Sequence, residues 1–463
     1  MPLPRYDVVV IGSGPGGYVA AVRAAQVGLS AAIVEKDPYF GGTCTWRGCI
    51  PTKALLENAT VWEQTRRGKE FGIVTGDVTL DLSRVMDRKT KIVRKMGKGV
   101  ELAIKSNKVE TFLGHGRLAG KGKVSVTAGD GKVTTLETGN VLIATGSVPR
   151  LIAGLKADGR RVVTSDEILD VKEIPKHLIV LGAGAVGVEF ASIFHRFGSK
   201  VTIVEMLPRV VPLEDEEVSA ELARVFKKQG MTIHTGTTAS NFKVTGDSVG
   251  VDLGSAGKVE GDLLLVAVGR RPLTEDVGLA GTAVVSEKGY LKVDGYMRTA
   301  EPGVYAIGDV VNTPLLAHVA SAEGILAVEH AAGREVRPIN YDQVPGATYC
   351  EPEVASVGLT EAKARERGYE VKVGRFPFTH SSKAPILGST DGFVKIVAEA
   401  KYGELLGVHI IGPRATEMIA EAGVALRTEA TVEEIERTIH AHPTLSEAMP
   451  EAARGVFGHA IHG

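Results

Sequence analysis

Two of the three cysteines stand four residues apart in Gly41-Gly42-Thr43-Cys44-Thr45-Trp46-Arg47-Gly48-Cys49-Ile50-Pro51-Thr52-Lys53. Thiols at that spacing can hold a metal, bind a cluster, form a redox couple or simply pack in a core. A structural zinc takes four ligands, commonly from C-x2-4-C pairs joined by further Cys or His, and the remaining cysteine, Cys350, lies far downstream. A plant-type iron–sulfur site begins C-x4-C but continues x2-C, and Thr52 occupies that third position. No metal site is expected. Two inert buried thiols are the structural alternative, since free cysteine is among the most buried residue types. Against it, Gly48 and Pro51 punctuate the backbone around the pair. On an undistorted helix, residues five apart have Cα atoms roughly 8–9 Å apart, too far for a disulfide. A redox pair therefore requires a distorted helix, which Gly48 and Pro51 favour. A dithiol couple also needs a proton acceptor near neutral pH, a role that suits a histidine oriented by a carboxylate. The segment His440-Ala441-His442-Pro443-Thr444-Leu445-Ser446-Glu447 offers both.

The elements that position these groups are announced by glycine spacing. Asp7-Val8-Val9-Val10-Ile11 reads as a buried parallel strand feeding Gly12-x-Gly14-x-x-Gly17, then a helix over Tyr18 to Val27, then a strand ending at Glu35. Glycines in such a turn let backbone N–H groups approach a pyrophosphate at the positive end of the helix, while the carboxylate takes ribose hydroxyls. The design repeats at Leu178 to Gly187, with Gly182, Gly184 and Gly187, a helix through Phe197 and a strand ending at Glu205. Two fingerprints imply two dinucleotides. A carboxylate at Glu205 repels the 2′-phosphate of NADP, so the second ligand is expected to be NAD, with nearby Arg209 read as a solvated side chain.

Residues from about 54 to 108 read as helical and highly charged, a solvated face. Val109 to Thr138 reads as a small antiparallel insertion, and Val141 to Pro149 as a buried strand ending in a Gly/Pro turn. Gly303 to Val310 delivers Asp309 at a strand end, a place to hold a ribose or ribityl hydroxyl. From about Pro345 onward the pattern suggests a separate α+β module.

Composition bounds these readings. With 463 residues, 44% apolar, 24% charged and a net charge of −1, the chain is expected to form about three soluble domains, with no footprint for nucleic acid or membrane. No signal peptide is apparent, and the most apolar window, Leu178 to Phe194, is interrupted by glycines and Glu189. A cytoplasmic location follows as the expectation, where a disulfide is more often catalytic than structural.

With both GxGxxG units, GGTCxxxGCIPxK, ATGSxP, GDV and the HxHPTxxE ending in view, the sequence resembles the pyridine nucleotide–disulfide oxidoreductases of glutathione reductase type along essentially its whole length. It looks most like the branch that oxidises dihydrolipoamide within 2-oxo acid dehydrogenase complexes. The resemblance implies an α/β fold, with two Rossmann-like dinucleotide-binding domains plus a C-terminal α+β dimerisation domain. The expected limits are 1–148 for FAD, 149–275 for NAD, 276–344 completing the FAD domain, and 345–463 for the interface.

By the same resemblance, FAD lies along Gly12, Gly14 and Gly17 with its ribose on Glu35. Further contacts come from Thr43, Gly116, Thr145, Gly146, Asp309 and Ala317, with Lys53 near the flavin ring. NAD uses Gly182, Gly184, Gly187, Glu205 and Gly269, with Glu189 near the nicotinamide. Cys49 is the flavin-proximal thiol, Cys44 the interchange thiol, and His442 the base supported by Glu447. The implied partners are a second copy, in a homodimer, and a lipoyl-bearing acyltransferase or carrier protein of a 2-oxo acid dehydrogenase or glycine cleavage complex. Two departures stand out: Thr45-Trp46-Arg47 where the family commonly has Asn-Val or similar, and Cys350 where it often has Thr, read as structural. The alternatives are an NADP-dependent disulfide reductase of glutathione reductase type and a mainly structural flavoprotein subunit.

Overall fold

The computed structural model describes residues 3–462. The outermost limits of the first and last expected domains, at residues 1, 2 and 463, lie outside them. The chain opens with β1 (Arg5–Ile11), α1 (Pro15–Gln26) and β2 (Ala31–Glu35), then α2 (Gly42–Arg47), α3 (Cys49–Arg66) and α4 (Leu82–Ser106). β3 (Glu110–Leu113), β4 (His115–Leu118), β5 (Lys123–Thr127), β6 (Val133–Ile143) and β7 (Ser147–Pro149) follow. Next come β8 (Val162–Val163), β9 (His177–Leu181), α5 (Ala185–Phe197), β10 (Lys200–Val204), α6 (Glu216–Gln229) and β11 (Thr232–His234). β12 (Ser240–Thr245), β13 (Ser248–Asp252), β14 (Lys258–Gly261) and β15 (Leu263–Val266) lead to β16 (Arg270–Pro272), β17 (Ser286–Glu287), β18 (Tyr290–Leu291), β19 (Val304–Ala306) and α7 (Ala317–Ala331). The final stretch holds β20 (Gly346–Thr348), β21 (Glu353–Gly358), α8 (Glu361–Glu366), β22 (Val371–Pro377), α9 (Lys383–Leu387), β23 (Phe393–Glu399) and β24 (Leu405–Gly412). It closes on α10 (Ala415–Arg427), α11 (Val432–Arg437) and α12 (Ala448–Val456).

These elements form two units. The first comprises residues up to Ala54, Ser83–Arg150 and Arg270–Tyr341. Its sheet runs β3-β2-β1-β6-β5-β4, with β19 beside β6. Val8-Val9-Val10-Ile11 is buried throughout, as a central parallel strand covered on both faces must be. α1 and α7 approach closely enough that a Cβ on Gly16 would sit 2.8 Å from the Ala320 carbonyl oxygen. The antiparallel insertion is smaller than its sequence suggests. β3 pairs parallel with β2, Val34 opposite Phe112, and so belongs to the dinucleotide sheet. β6 is one strand of 11 residues serving both parts: its first half pairs antiparallel with β5, its second half parallel with β1.

The second unit comprises Leu55–Leu82, Leu151–Gly269 and the chain from Asp342 onward. It holds a five-stranded parallel sheet, β11-β10-β9-β15-β8, and a five-stranded antiparallel sheet, β20-β21-β24-β23-β22. β9, β10 and β15 supply near-continuous runs of Val, Leu and Ile to the first of these. α10 and α12 cover the second through Met418, Ile419, Ala422, Met449 and Ala452. Among the described residues, no helix is long and apolar enough to cross a membrane.

Candidate active site

The helix carrying the cysteine pair is broken between them. α2 ends at Arg47, Gly48 adopts φ −142° and ψ −110°, and α3 begins at Cys49. The break lets both sulfurs face one another, and the two thiols are hydrogen-bonded. The Cys44 thiol is pushed well above the ordinary range, first by that bond and then by burial, with the Lys53 ammonium opposing. Cys49 opens an 18-residue helix, where the positive end of the macrodipole favours a thiolate.

Glycines weld this pair to the first fingerprint. Gly41 N donates to the Ser13 carbonyl at 3.0 Å, and a Cβ on Gly42 would lie 2.5 Å from Gly14 Cα. Gly41 and Gly42 both take positive φ, at +111° and +59°, a region that favours glycine. Thr43 and Lys53 flank the cysteines on α2 and α3. Trp46 turns away, donating from Nε1 to the Phe40 carbonyl at 2.7 Å and stacking on Tyr39 at 4.1 Å between ring centroids. Arg47 pairs with Asp37 at 2.7 Å.

The two fingerprints are built to one plan. A Cβ on Gly17 would lie 1.9 Å from the Gly12 carbonyl oxygen, and one on Gly187 would lie 1.9 Å from that of Gly182. At Gly14 and Gly184 the added atom would meet nothing within 4 Å. Each turn is thus closed on its inner side and open on its outer side, a cradle fitting a pyrophosphate. The carboxylates match as well. Glu35 accepts from Ser13 N at 2.9 Å and Asp37 N at 3.0 Å; Glu205 accepts from Ala183 N at 2.7 Å and Leu207 N at 2.8 Å. Both are buried, and backbone donors hold each at the end of its strand, where ribose hydroxyls are met. Arg209 pairs instead with Glu216 at the start of α6. Glu189, buried on α5, accepts from Tyr349 N at 2.9 Å.

The remaining residues of the first unit stand on β4, just after β6 and β19, and at the start of α7. Thr145 Oγ1 donates to the Leu273 carbonyl at 2.6 Å, and Gly146 takes φ +72°. A Cβ on Gly116, on β4, would lie 3.0 Å from both the Ile11 and the Val34 side chains, a tight fit. Ala317 opens α7. Asp309 accepts from Ser147 Oγ, which itself accepts from Arg270 Nε at 2.6 Å. Glu323, fully buried on α7, accepts from Gly308 N at 2.7 Å and Tyr341 Oη at 2.8 Å. Burial raises its carboxyl against those bonds. Ser147, Arg270 and Glu323 escaped the sequence reading. Arg270 stands on β16, which pairs with β7.

His442 and Glu447 lie in the second unit, as do Gly182, Gly184, Gly187, Glu189, Glu205 and Gly269. His442 is mostly exposed, and its Nδ1 faces Glu447 Oε1 at 2.9 Å. The other Glu447 oxygen accepts from Thr444 N at 2.8 Å. Burial raises the Glu447 carboxyl, but the bonds from Thr444 and His442 outweigh it and hold the group below its usual range. An ionised Glu447 fixes the Nδ1–H tautomer and leaves Nε2 with its lone pair outward, the arrangement of a general base. His440 is engaged at both nitrogens, with Glu421 at 2.7 Å and the Thr438 carbonyl at 2.9 Å. Cys350 is buried, and burial raises its thiol. No group of residues suited to a metal occurs among those described.

Residues 6–324 match the family model described as pyridine nucleotide-disulphide oxidoreductase, and residues 344–453 match that family's dimerisation domain. The chain is 45% identical over 471 residues to a dihydrolipoyl dehydrogenase of Bacillus subtilis, covering 99% of each. It is 46% identical over 453 residues to one of Chlorobaculum tepidum, covering 97% of this chain and 96% of that one. The solved structure of LpdA from Mycobacterium tuberculosis is similar with a TM-score of 0.90 at 29% identity, covering 98% of this chain and 99% of that one.

Proposed function

We propose, from the premise that this chain belongs to the pyridine nucleotide-disulphide oxidoreductase family, that it is a dihydrolipoyl dehydrogenase using FAD and NAD. The observation that carries this reading is the cysteine pair at the helix break, stitched to the first dinucleotide cradle, in a chain with a second cradle of the same build. The dimerisation domain makes the homodimer the working unit. The domain limits that fit this reading are 1–148 and 276–344 for FAD, 149–275 for NAD and 345–463 for the interface.

The reaction starts with Cys44 and Cys49 joined as a disulfide. Nε2 of His442, acting across the dimer, takes a proton from one substrate thiol, because the thiolate is the attacking species and a free thiol near pKa 8.5 supplies little of it at neutral pH. The thiolate attacks Cys44 Sγ, the Cys44–Cys49 bond breaks, and Cys49 leaves as a thiolate stabilised at the start of α3. The second substrate thiol then attacks its neighbour sulfur, closing the lipoyl ring; its proton passes to Cys44, which departs as a thiol. Two electrons now reside on the cysteine pair and one proton on His442. FAD, held by Gly12, Gly14, Gly17 and Glu35, would supply the acceptor for those two electrons and the Cys44 proton as the disulfide re-forms, and NAD, held by Gly182, Gly184, Gly187 and Glu205, would supply the final hydride acceptor. Glu447 keeps the imidazole oriented throughout, and reoxidation of the pair lets His442 return its proton to water.

Glu205 selects the nicotinamide cofactor. Its buried carboxylate, held by two backbone donors, meets a 2′-hydroxyl favourably and a 2′-phosphate unfavourably. The physiological substrate is a lipoyl group on a partner acyltransferase or carrier protein, and the setting is the cytoplasm. An anaerobic assay of the purified holoenzyme with dihydrolipoamide and either NAD or NADP tests the reading. Rapid NADH formation with little NADPH is expected; NADPH-driven reduction of glutathione disulfide without dihydrolipoamide turnover would overturn it.

A further inference from the structure

The outer face of α4 carries a charged row that the chemistry above leaves unused. α4 contains eight basic residues against two acidic ones, Asp87 and Glu101. Val85, Lys89, Val93, Gly97, Val100 and Ile104 are its buried face, so the opposite face is fixed toward water. Along it Arg84, Arg88, Lys91, Lys95, Lys98 and Lys105 are all exposed, with Leu102 filling the one remaining place. Their spacing alternates between four and three residues, which keeps them on one line about 32 Å long. Like charges at these spacings oppose the helix, in a chain whose net charge is only −1. A row of this excess positive charge, with apolar Leu102 and neighbouring Met96 also exposed, has the makeup of a contact surface.

The row also sits on the helix that backs the cysteine pair. Trp46, between the two cysteines, packs so tightly on α4 that a Cβ on Gly97 would lie 2.4 Å from its ring. Arg88 Nη1 donates to the Ala54 carbonyl of α3 at 3.4 Å. A body resting on the outer face of α4 is separated from Trp46 by the width of one helix, about 10 Å. Nucleic-acid binding goes with a strongly basic domain, which a chain of net charge −1 does not present, whereas an acidic protein surface needs only the charges and the apolar points.

We propose that the α4 row docks an acidic protein domain carrying the dihydrolipoyl group, steering that group toward Cys44. This rests on the dihydrolipoyl reading above. The test compares two substrates of the holoenzyme, free dihydrolipoamide and a reduced lipoyl domain of net negative charge, at low and high ionic strength. The variant is Lys91→Gln/Lys95→Gln/Lys98→Gln. For the lipoyl domain, KM is expected to rise about tenfold in the variant and to lose most of its salt dependence, since docking charges act on encounter. For free dihydrolipoamide, both kinetic constants stay at the wild-type values. An unchanged KM for the lipoyl domain, or an equal rise for both substrates, overturns the docking surface while leaving the dehydrogenase intact. Loss of duplex DNA binding in the variant with no change in KM for the lipoyl domain assigns the row to nucleic acid and likewise overturns it. Failure of the wild type on both substrates removes the dihydrolipoyl reading itself.

Discussion

At the scale of single residues, chemistry depends on which atoms are already committed. His442 Nδ1 is committed to Glu447; the Cys44 thiol is pushed above its ordinary range by its neighbour and by burial, and Cys49 opens a helix, where a thiolate is favoured. Replacing His442 with Gln removes the base while leaving the cysteines and both cradles in place. Turnover of dihydrolipoamide is expected to fall by about 10²–10⁴-fold, with FAD content unchanged, as read by steady-state rates beside the visible absorption spectrum. The sequence made these particular residues legible because each functional pair is local: Cys44 with Cys49, His442 with Glu447, and each carboxylate with its fingerprint turn. Ser147, Arg270 and Glu323 were not legible. Ser147 meets Asp309 and Arg270 only after the chain has folded back over more than a hundred residues, and serine and arginine carry no periodic or motif signal of their own.

At the scale of elements, the same strand–turn–helix–strand unit appears twice with the same prohibitions on side chains. Gly187→Ala would force a methyl group to 1.9 Å from the Gly182 carbonyl, a backbone atom that cannot swing aside. The variant is expected to purify with its FAD absorbance intact but with KM for NAD raised about tenfold or more, an apparent loss of over 1.4 kcal/mol in binding. Loss of the flavin together with NAD affinity would contradict separate cradles. The break at Gly48 was foreseeable, because a disulfide across five residues is incompatible with a continuous helix. The role of α4 was not. Its charge content alone reads as a solvated surface, and only the burial of Val85, Val93, Gly97 and Val100 shows that the cations share one exposed line. Before residue 138, alternation identifies the strands but does not say that β3 joins a parallel neighbour, β2.

At the scale of the whole molecule, buried charge ties stability to pH. Glu351 is pushed up to about 7 by burial, with Arg196 opposing and Glu63 and Glu353 adding to the rise. Its folded value lies above the ordinary carboxylate range, so the native state binds the extra proton between roughly pH 4.5 and 7. Stability from this group is therefore full below that window and is lost as pH rises through it, by about 3 kcal/mol. Glu351→Gln is expected to flatten this component. Thermal midpoints of wild type and variant, taken at equal protein and FAD concentrations from pH 5 to 8, should diverge in the variant's favour as pH rises; parallel curves would remove Glu351 as the source. The most direct measurement of the central claim follows thiols and electrons together. Anaerobic holoenzyme takes one equivalent of dihydrolipoamide, part is then given NAD, and both parts are denatured and alkylated for peptide mass spectrometry. Cys44 and Cys49 should become labelled only after reduction and lose their label after NAD, with one NADH formed per pair, while Cys350 is labelled throughout. NADH formation with Cys44 and Cys49 never becoming available to the reagent would contradict electron passage through this pair.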